Sequence, residues 1–414
     1  MVVRPFHLSW QAAGIETSRT ARLIRKVLDL NAQQVATELE IVYRDFGERH
    51  WQIRDIFERR FHNLADELQT IGDVRLADLG GAQRELIGAY FCHEYSYAAA
   101  ALMNPSIVPH PDQTGLTEGQ LRFVMSLRAV GEGHISSICF REGIVGVDRH
   151  LSLQPEPPFA TAAYRRDDEI ARRSPRVTVH RHHDSSLSGT VIFPVTEAQS
   201  NGLEDLRLTQ FDHAGGAHDW IGTYTAYNGN AIRSEMLRTA DFRSFELLPM
   251  SGTAAVNKGM GLFPRKIGGQ YCMIGRQDGE NLFLIRSDNL THWDEGTKLI
   301  EPVYPWEFIQ IGNCGAPIEI DEGWLVLTHG VGAMRKYSVG AMLLDKDDPS
   351  KVLCRTAQPI LSASSEDRDG YVPNVVYTCG ALVVGQDLFI PYGIADSSVG
   401  FAFAPLKTLI GAFC

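Results

Sequence analysis

Between Asn31 and Leu68 the apolar residues Val35, Leu39, Val42 and Phe46, then Ile53, Phe57, Phe61, Leu64 and Leu68, return at intervals of three and four with charges between them. That period predicts amphipathic helix. Asn31 with Gln34 three positions on has the form of a capping box and predicts a helix start, and Gly47 predicts the break between two helices. After "LMNPSIVPHPDQTG" (102–115) the period changes, and β-branched or aromatic runs alternate with turns rich in Gly, Asp and Asn. The pattern divides the chain into a helical extension, residues 1–100, and a β domain, residues 101–414.

The β domain repeats itself loosely. The stretches "GLFPRKIGGQYCMIGR" (261–276), "APIEIDEGWLVLTHG" (316–330) and "VVYTCGALVVGQDLFIPYG" (375–393) each give a strand, a polar turn and an apolar strand, and residues 206–229 have the same form with a longer turn. Anchored on Trp220, Tyr271, Trp324 and Leu388, the copies lie 51, 53 and 64 residues apart, the spacing of four-stranded propeller blades. "RFVMSLRAVGEGHISSICF" (122–140) supplies a fifth. The expected fold is mainly β, a five-bladed β-propeller with an N-terminal α-helical extension; a plain β-sandwich would not need a recurring unit of this length. Innermost strands of a propeller line one funnel, so Asn104, Asp205, Lys258, Asn313 or His329, and Asp396 are expected to converge.

Composition narrows the partners. A chain of 414 residues with 44% apolar content can bury a large core. Fifty acidic against thirty-nine basic residues give a net charge of −11, which repels phosphodiester backbones and argues against nucleic acid. "MVVRPFHLSW" lacks the apolar core of a signal peptide and no run approaches the length of a membrane span, so a cytoplasmic protein without membrane contact is expected. Seven scattered cysteines without a C-x-x-C pair fit reduced core thiols.

Seven short stretches then carry a family resemblance: "NPSIV" (104–108), "SLRA" (126–129), "GLEDLR" (202–207), "NKGMGLFPRKIGGQY" (257–271), "GWLVLTHGV" (323–331), "VPNVV" (372–376) and "YGIAD" (392–396), in that order. Together they resemble glycoside hydrolase family 130, five-bladed propeller enzymes that cleave β-mannosides, mostly by phosphorolysis. The resemblance covers about residues 100–405; the first hundred are similar only to helical extensions of some relatives. It implies an inverting phosphorylase that needs no cofactor or metal and takes inorganic phosphate as co-substrate beside a small oligosaccharide. Asp205 is implied as the general acid, acting through the 3-hydroxyl of the mannose in the −1 subsite. Lys258, Arg276 and His329 are implied for phosphate, and Asn104, Ser106, Arg128 and Asp396 for the −1 mannose. Chemistry agrees, because a phosphate nucleophile already carries charge and one carboxylate then suffices.

Two departures from the family pattern stand out. Leu206 replaces the usual Pro after the acid, and Gln310 with "GNCG" (312–315) stands where many relatives show a Lys and a Gly/Pro-rich loop. Loss of that Lys keeps an inverting β-mannosidase as the alternative, with a non-catalytic glycan-binding propeller behind it. Glu204, next to Asp205 on a strand, is expected to face away from it and to pair with an Arg. Tyr227 and Trp306 are aromatic candidates for sugar stacking, although core packing is the commoner fate of such residues. "HRHHD" (180–184) sets His180 and His182 on one strand face without a third ligand by spacing, and "GEGHIS" (131–136) lacks the last Gly of a dinucleotide loop. The amphipathic helices predict a homo-oligomer, a dimer built through residues 1–95.

Overall fold

The computed structural model describes residues 1–6, 8, 19–64, 79–155, 157–166, 176–364, 367 and 369–412. They form two compact units, Met1–Ser96 with Pro158–Ala162, and Tyr97–Pro157 with Ala163–Cys414.

In the first unit, helices span Arg19–Leu28, Ala32–Phe46, Ile53–His62 and Gly81–Tyr90, and the strands Val2–Pro5 and Cys92–Tyr95 pair antiparallel. The capping box forms: Asn31 Oδ1 accepts the Gln34 N–H and Gln34 Oε1 accepts the Asn31 N–H, both at 2.9 Å. Gly47 closes that helix, its N–H donating to Tyr43 O. Of the periodic positions, Val35, Leu39, Ile53, Phe57, Phe61 and Leu64 are buried, and Leu68 lies outside the described residues. The helices at Arg19–Leu28 and Gly81–Tyr90 lie beyond the stretch whose period was regular enough to predict them. Gly88 in the last of them lies where a Cβ would come 2.0 Å from Phe57 O, so the two helices touch backbone to backbone.

The second unit is mainly β. Its first strands, Ala101–Pro109, Gln120–Val130 and Ser136–Gly146, run antiparallel in that order. A second antiparallel run, Gly202–Asp212, His218–Tyr227, Ile232–Thr239 and Ser244–Pro249, is edged by Val177–His180 and meets the first run at one parallel pairing, Gly202 with Ser136. Three further sheets follow, built on Tyr271–Gly275, Gly323–Val331 and Asp387–Ile394. The repeat anchors Trp220, Tyr271, Trp324 and Leu388 fall at the beginnings of the corresponding second strands. Large apolar side chains between neighbouring sheets, among them Trp220, Trp293, Trp324 and Phe263, are buried completely or nearly so. The last sheet reaches the first run: Cys379 N–H donates to Pro105 O of its first strand at 2.7 Å, and Arg149, just past its third, binds both oxygens of Asp387, at 2.7 and 3.0 Å.

Among the described residues no helix is long and apolar enough to cross a membrane. Cys92, Cys139, Cys272, Cys314 and Cys379 are free thiols, whereas Cys354 is disulfide-bonded, against the expectation that all thiols are reduced.

The turn that leads from Pro249 toward Lys258 depends on Gly252, at φ 101°, where a Cβ would stand 2.0 Å from the carbonyl oxygen of buried Trp293. Gly215 has nearly the same φ, 102°, and open space around it. Gly215→Ala is therefore expected to cost about 1 kcal/mol from backbone strain alone, and Gly252→Ala at least ~2 kcal/mol more because backbone must move. Urea unfolding of both variants checks this, and equal losses would contradict it.

Candidate active site

The site is made where strands break their own ladders. Ala101–Pro109 and Gln120–Val130 lose register between Met103 and Ser106, and Gly202–Asp212 and His218–Tyr227 lose it between Glu204 and Arg207. Inside those bulges Asn104 has φ 52° and Asp205 has φ 55°; just past the strand Asp387–Ile394, Asp396 has φ 53°. Left-handed backbone costs a non-Gly residue about 1–2 kcal/mol, least for Asn and Asp, and persists where surrounding structure enforces it. All three side chains line one cavity of about 280 Å³, together with Arg128, Arg207, Lys258, Arg276, Gln310, Asn313, His329, Arg335, Tyr337 and Tyr377.

One side of the cavity is an ion cluster. Arg128 donates through Nη2 to Glu204 Oε1 at 2.8 Å, through Nη1 to Asp205 Oδ1 at 3.3 Å, and through Nε to Ser136 Oγ at 3.0 Å. Asn104 Nδ2 donates to Asp205 Oδ1 at 2.6 Å, and Lys258 Nζ to Glu204 Oε2 at 2.6 Å. Burial pushes the Asp205 carboxyl up, but the charges of Arg128, Arg207 and Lys258 with the Asn104 hydrogen bond outweigh it and hold Asp205 well below the usual carboxylate range. Asp396 goes the other way: burial, and then the negative charge of Asp205, push it up to about 6 against the pull of Arg128.

The other side is cationic and under-satisfied. Arg207, 2% exposed, donates to Asp205 O at 2.9 Å and to the Tyr377 hydroxyl at 2.7 Å, leaving its buried Nε without a partner. Arg276 has buried Nε and Nη1 atoms without partners. His329 is buried between them electrostatically, since burial and then the charges of Arg276 and Arg207 hold it far below the usual histidine range, so its imidazole is neutral at pH 7. Its ring stacks on Tyr337 at 6.0 Å and meets Tyr377 edge-on at 4.8 Å. Gly312 makes room for it, because a Cβ there would come 2.3 Å from His329 Cε1. Buried guanidinium N–H groups without partners are costly, and two such groups beside a neutral imidazole make a seat for an anion.

The structure thus brings Asn104, Arg128, Asp205, Lys258, Arg276, His329 and Asp396 to one cavity, with both Asn313 and His329 present. Ser106 stays outside it: fully buried, it accepts the Leu208 N–H at 3.0 Å and pins two strands together. Lys258 reaches the cavity with its ammonium already held by Glu204. Glu204 pairs with an Arg as expected, yet it does not face away from Asp205, because the bulge cancels strand alternation and one guanidinium reaches both carboxylates. Trp306 packs over Gly330 and Gly340 and donates to Ala357 O, Tyr227 donates to Gly229 O, and neither lines the cavity. Arg207, Arg335, Tyr337 and Tyr377 were missed; Arg207, two places after Asp205, had the only signal. Elsewhere, His182, His183 and Asp184 hold metal-type ligand atoms within 4.8 Å of one another, whereas His180 turns to Ser244 Oγ.

Comparison with known proteins agrees with this geometry. The family model described as beta-1,4-mannooligosaccharide phosphorylase matches residues 181–413. A 1,2-beta-oligomannan phosphorylase of Thermoanaerobacter sp. is 33% identical over 230 residues, 54% of this chain and 75% of that protein. A beta-1,2-mannobiose phosphorylase of Listeria innocua is 31% identical over 228 residues, 53% of this chain and 62% of that one. In fold, the solved Listeria innocua beta-1,2-mannobiose phosphorylase complexed with beta-1,2-mannobiose superposes with TM-score 0.50 at 23% identity, covering 77% of this chain and 93% of that chain. A structure described under glycoside hydrolases of the GH130 family that target beta-1,2 mannosidic linkages in Candida mannan gives 0.54 at 18% identity, covering 76% and 86%. With the family model matching more than half of its length, the chain belongs to glycoside hydrolase family 130.

Proposed function

We propose that the protein is an inverting β-mannoside phosphorylase on a five-bladed propeller, releasing α-mannose 1-phosphate and acting reversibly. The observation that carries this reading is the pair of buried, under-satisfied guanidinium groups, Arg207 and Arg276, flanking neutral His329 in the cavity that holds Asp205. The propeller reading is supported by the succession of antiparallel runs and by the last sheet's contacts with the first run. A homo-oligomer, a dimer through residues 1–95, fits the exposed Phe6, Trp51 and Tyr90 of the helical unit.

In this mechanism Asn104, Arg128 and Asp396 hold the −1 mannose, and hydrogen phosphate sits on Arg207, Arg276 and His329. A phosphate oxygen bonds to the anomeric carbon on the face opposite the leaving group as the carbon–oxygen glycosidic bond breaks. Asp205 supplies a proton, relayed through the sugar 3-hydroxyl, to the departing oxygen, and regains one from the hydrogen phosphate ester that forms. An acid needs a proton to give, and free Asp205 is held ionised. The incoming anion corrects this: its charge offsets Arg207, one of the cations that keep Asp205 low, so phosphate binding raises its affinity for a proton. Lys258, already neutralised by Glu204, tunes this field more than it grips phosphate.

Hydrolysis is the second reading, and Asp396 favours it. Among the described residues it is the other carboxylate that lines the cavity, and a carboxyl raised to about 6 suits a base that activates water. Gln310, lining the same cavity, lacks the charge that a Lys would give phosphate.

Proton NMR of a β-mannoside digestion should show α-mannose 1-phosphate only when phosphate is present; free mannose formed equally fast without phosphate would establish hydrolysis instead. Asp205→Asn should lower kcat ~10²–10⁴-fold on an unactivated mannoside, while Arg276→Ala should raise the KM for phosphate far more than that for mannoside, and Lys258→Ala should do so less than Arg276→Ala. Asp396 binds its proton more tightly folded than unfolded, so its contribution to stability falls as pH rises from about 4 to about 6. Asp396→Asn should therefore stabilise the fold above pH 6 by up to ~3 kcal/mol, at about 1.4 kcal/mol per pK unit, and have little effect at pH 4; melting curves at both pH values decide it.

A further inference from the structure

In the stretch "HRHHD" (180–184) the strand ends at His180, which pairs with Ser244 and turns its ring to Ser244 Oγ at 3.0 Å. Arg181 N–H still donates to Arg243 O at 2.8 Å, and the chain then turns: His182 O accepts the Ser185 N–H at 3.0 Å and the Ser185 hydroxyl at 2.9 Å. Neighbours on a strand point to opposite faces, and the turn removes that alternation. One ligand-type atom from each of His182, His183 and Asp184 therefore lies within 4.8 Å of the other two. The third ligand that strand spacing did not supply is the residue next in sequence.

His182 is the anchored member, 3% exposed, and the other two stand at the surface. Its ring lies face to face with that of His183, centroids 4.5 Å and planes 29° apart, and the Asp184 N–H approaches its Nδ1 at 3.5 Å. His183 Nε2 is 2.9 Å from Asp184 Oδ2. An exposed ion pair of this kind is worth little by itself and gives no reason for a buried imidazole to lie along it. A metal ion does. Zinc holds nitrogen and oxygen ligands at about 2.0–2.2 Å in a tetrahedron, which sets them roughly 3.3–3.6 Å from one another. Small rotations of the exposed His183 and Asp184 side chains about the anchored His182 reach that spacing. Two imidazoles and a carboxylate are the donor set of zinc and its transition-metal neighbours, whereas calcium and magnesium take oxygen. None of the three residues lines the catalytic cavity.

We propose that His182, His183 and Asp184 bind one divalent transition-metal ion of the zinc class, a clamp on the turn after Val177–His180 that stands apart from the catalytic cavity. The site does not rest on the phosphorylase reading. Because His182 is buried in the folded unit and the other two ligands are not, the ion ties surface side chains to the packed interior. It has this ligand set only in the folded chain, so its binding stabilises that chain over the unfolded one.

The test uses the full chain, stripped with a chelator, and zinc chloride as the probe. Equilibrium dialysis followed by elemental analysis should find one ion per chain bound in the micromolar range or tighter. His183→Ala and Asp184→Asn, both at exposed side chains that folding does not depend on, should each weaken binding at least ~10-fold. Zinc should raise the melting temperature of the wild type and leave that of either variant unchanged. Cobalt in place of zinc should give the visible absorption bands of a four-coordinate ion, and these should be lost in both variants. Binding only in the millimolar range overturns the site. So does binding that either variant retains, which places the ion on other histidines or on the free thiols, and so does zinc taken up only as two chains join in light scattering, which makes it a bridge between surfaces.

Discussion

The guanidinium of Arg128 is the interaction on which the site depends. It stands between Glu204 and Asp205, anchored by Ser136, and so allows two adjacent carboxylates to be buried in one bulge of one strand. Without a cation between them, like charges this close would drive one carboxylate to take up a proton or the strand to straighten. Lys258 completes the cluster from the turn that leads into the next sheet. With these carboxylates matched, buried guanidinium N–H groups of Arg207 and Arg276 are still left without partners. The anion seat is thus the remainder of a charge balance settled elsewhere in the cavity.

That balance requires backbone that ordinary strands do not supply. Regular alternation would send Asp205 and Glu204 to opposite faces of the sheet, and the bulges at Asn104 and Asp205 exist to defeat it. The strain is held by the long regular ladders beside them, the pairings of Gln120–Val130 with Ser136–Gly146 and of His218–Tyr227 with Ile232–Thr239, which have no irregularity in their register. Regular sheet carries the stability, and its few breaks carry the chemistry.

Much of this was legible in the sequence. The helical period over residues 31–64 and the Asn31–Gln34 box are local, and local patterns survive folding. The convergence of Asn104, Asp205, Lys258 and Asp396 was legible because the units repeat. What could not be seen is pairing, a property of three dimensions. Nothing in the sequence shows that Ser106 spends its hydroxyl on Leu208 N–H, that Glu204 occupies the ammonium of Lys258, or that Trp306 fills the space left by two glycines. The bulge was hidden for a similar reason: left-handed backbone at Asp205 is imposed by its neighbours, whereas a glycine would have announced it. Tyr337 and Tyr377 looked like ordinary strand aromatics and became site residues only through the sheets that present them.

The contacts between the last sheet and the first strand bear on how the protein comes into being. Asn104 and Asp396 line the same cavity although almost the whole β unit lies between them in sequence, and a Cβ at Gly393 of the later strand would come within 3.2 Å of the Asn104 backbone nitrogen. Such closure is long-range, and the entropy of bringing distant segments together must be overcome before the contacts reward it. During synthesis the early sheets can gather while the cavity still lacks a wall, with the cations of Arg128, Arg207 and Arg276 facing water. The final sheet brings Tyr377 and Asp396 to the cavity, so the charge pattern acquires its full force only with that sheet in place.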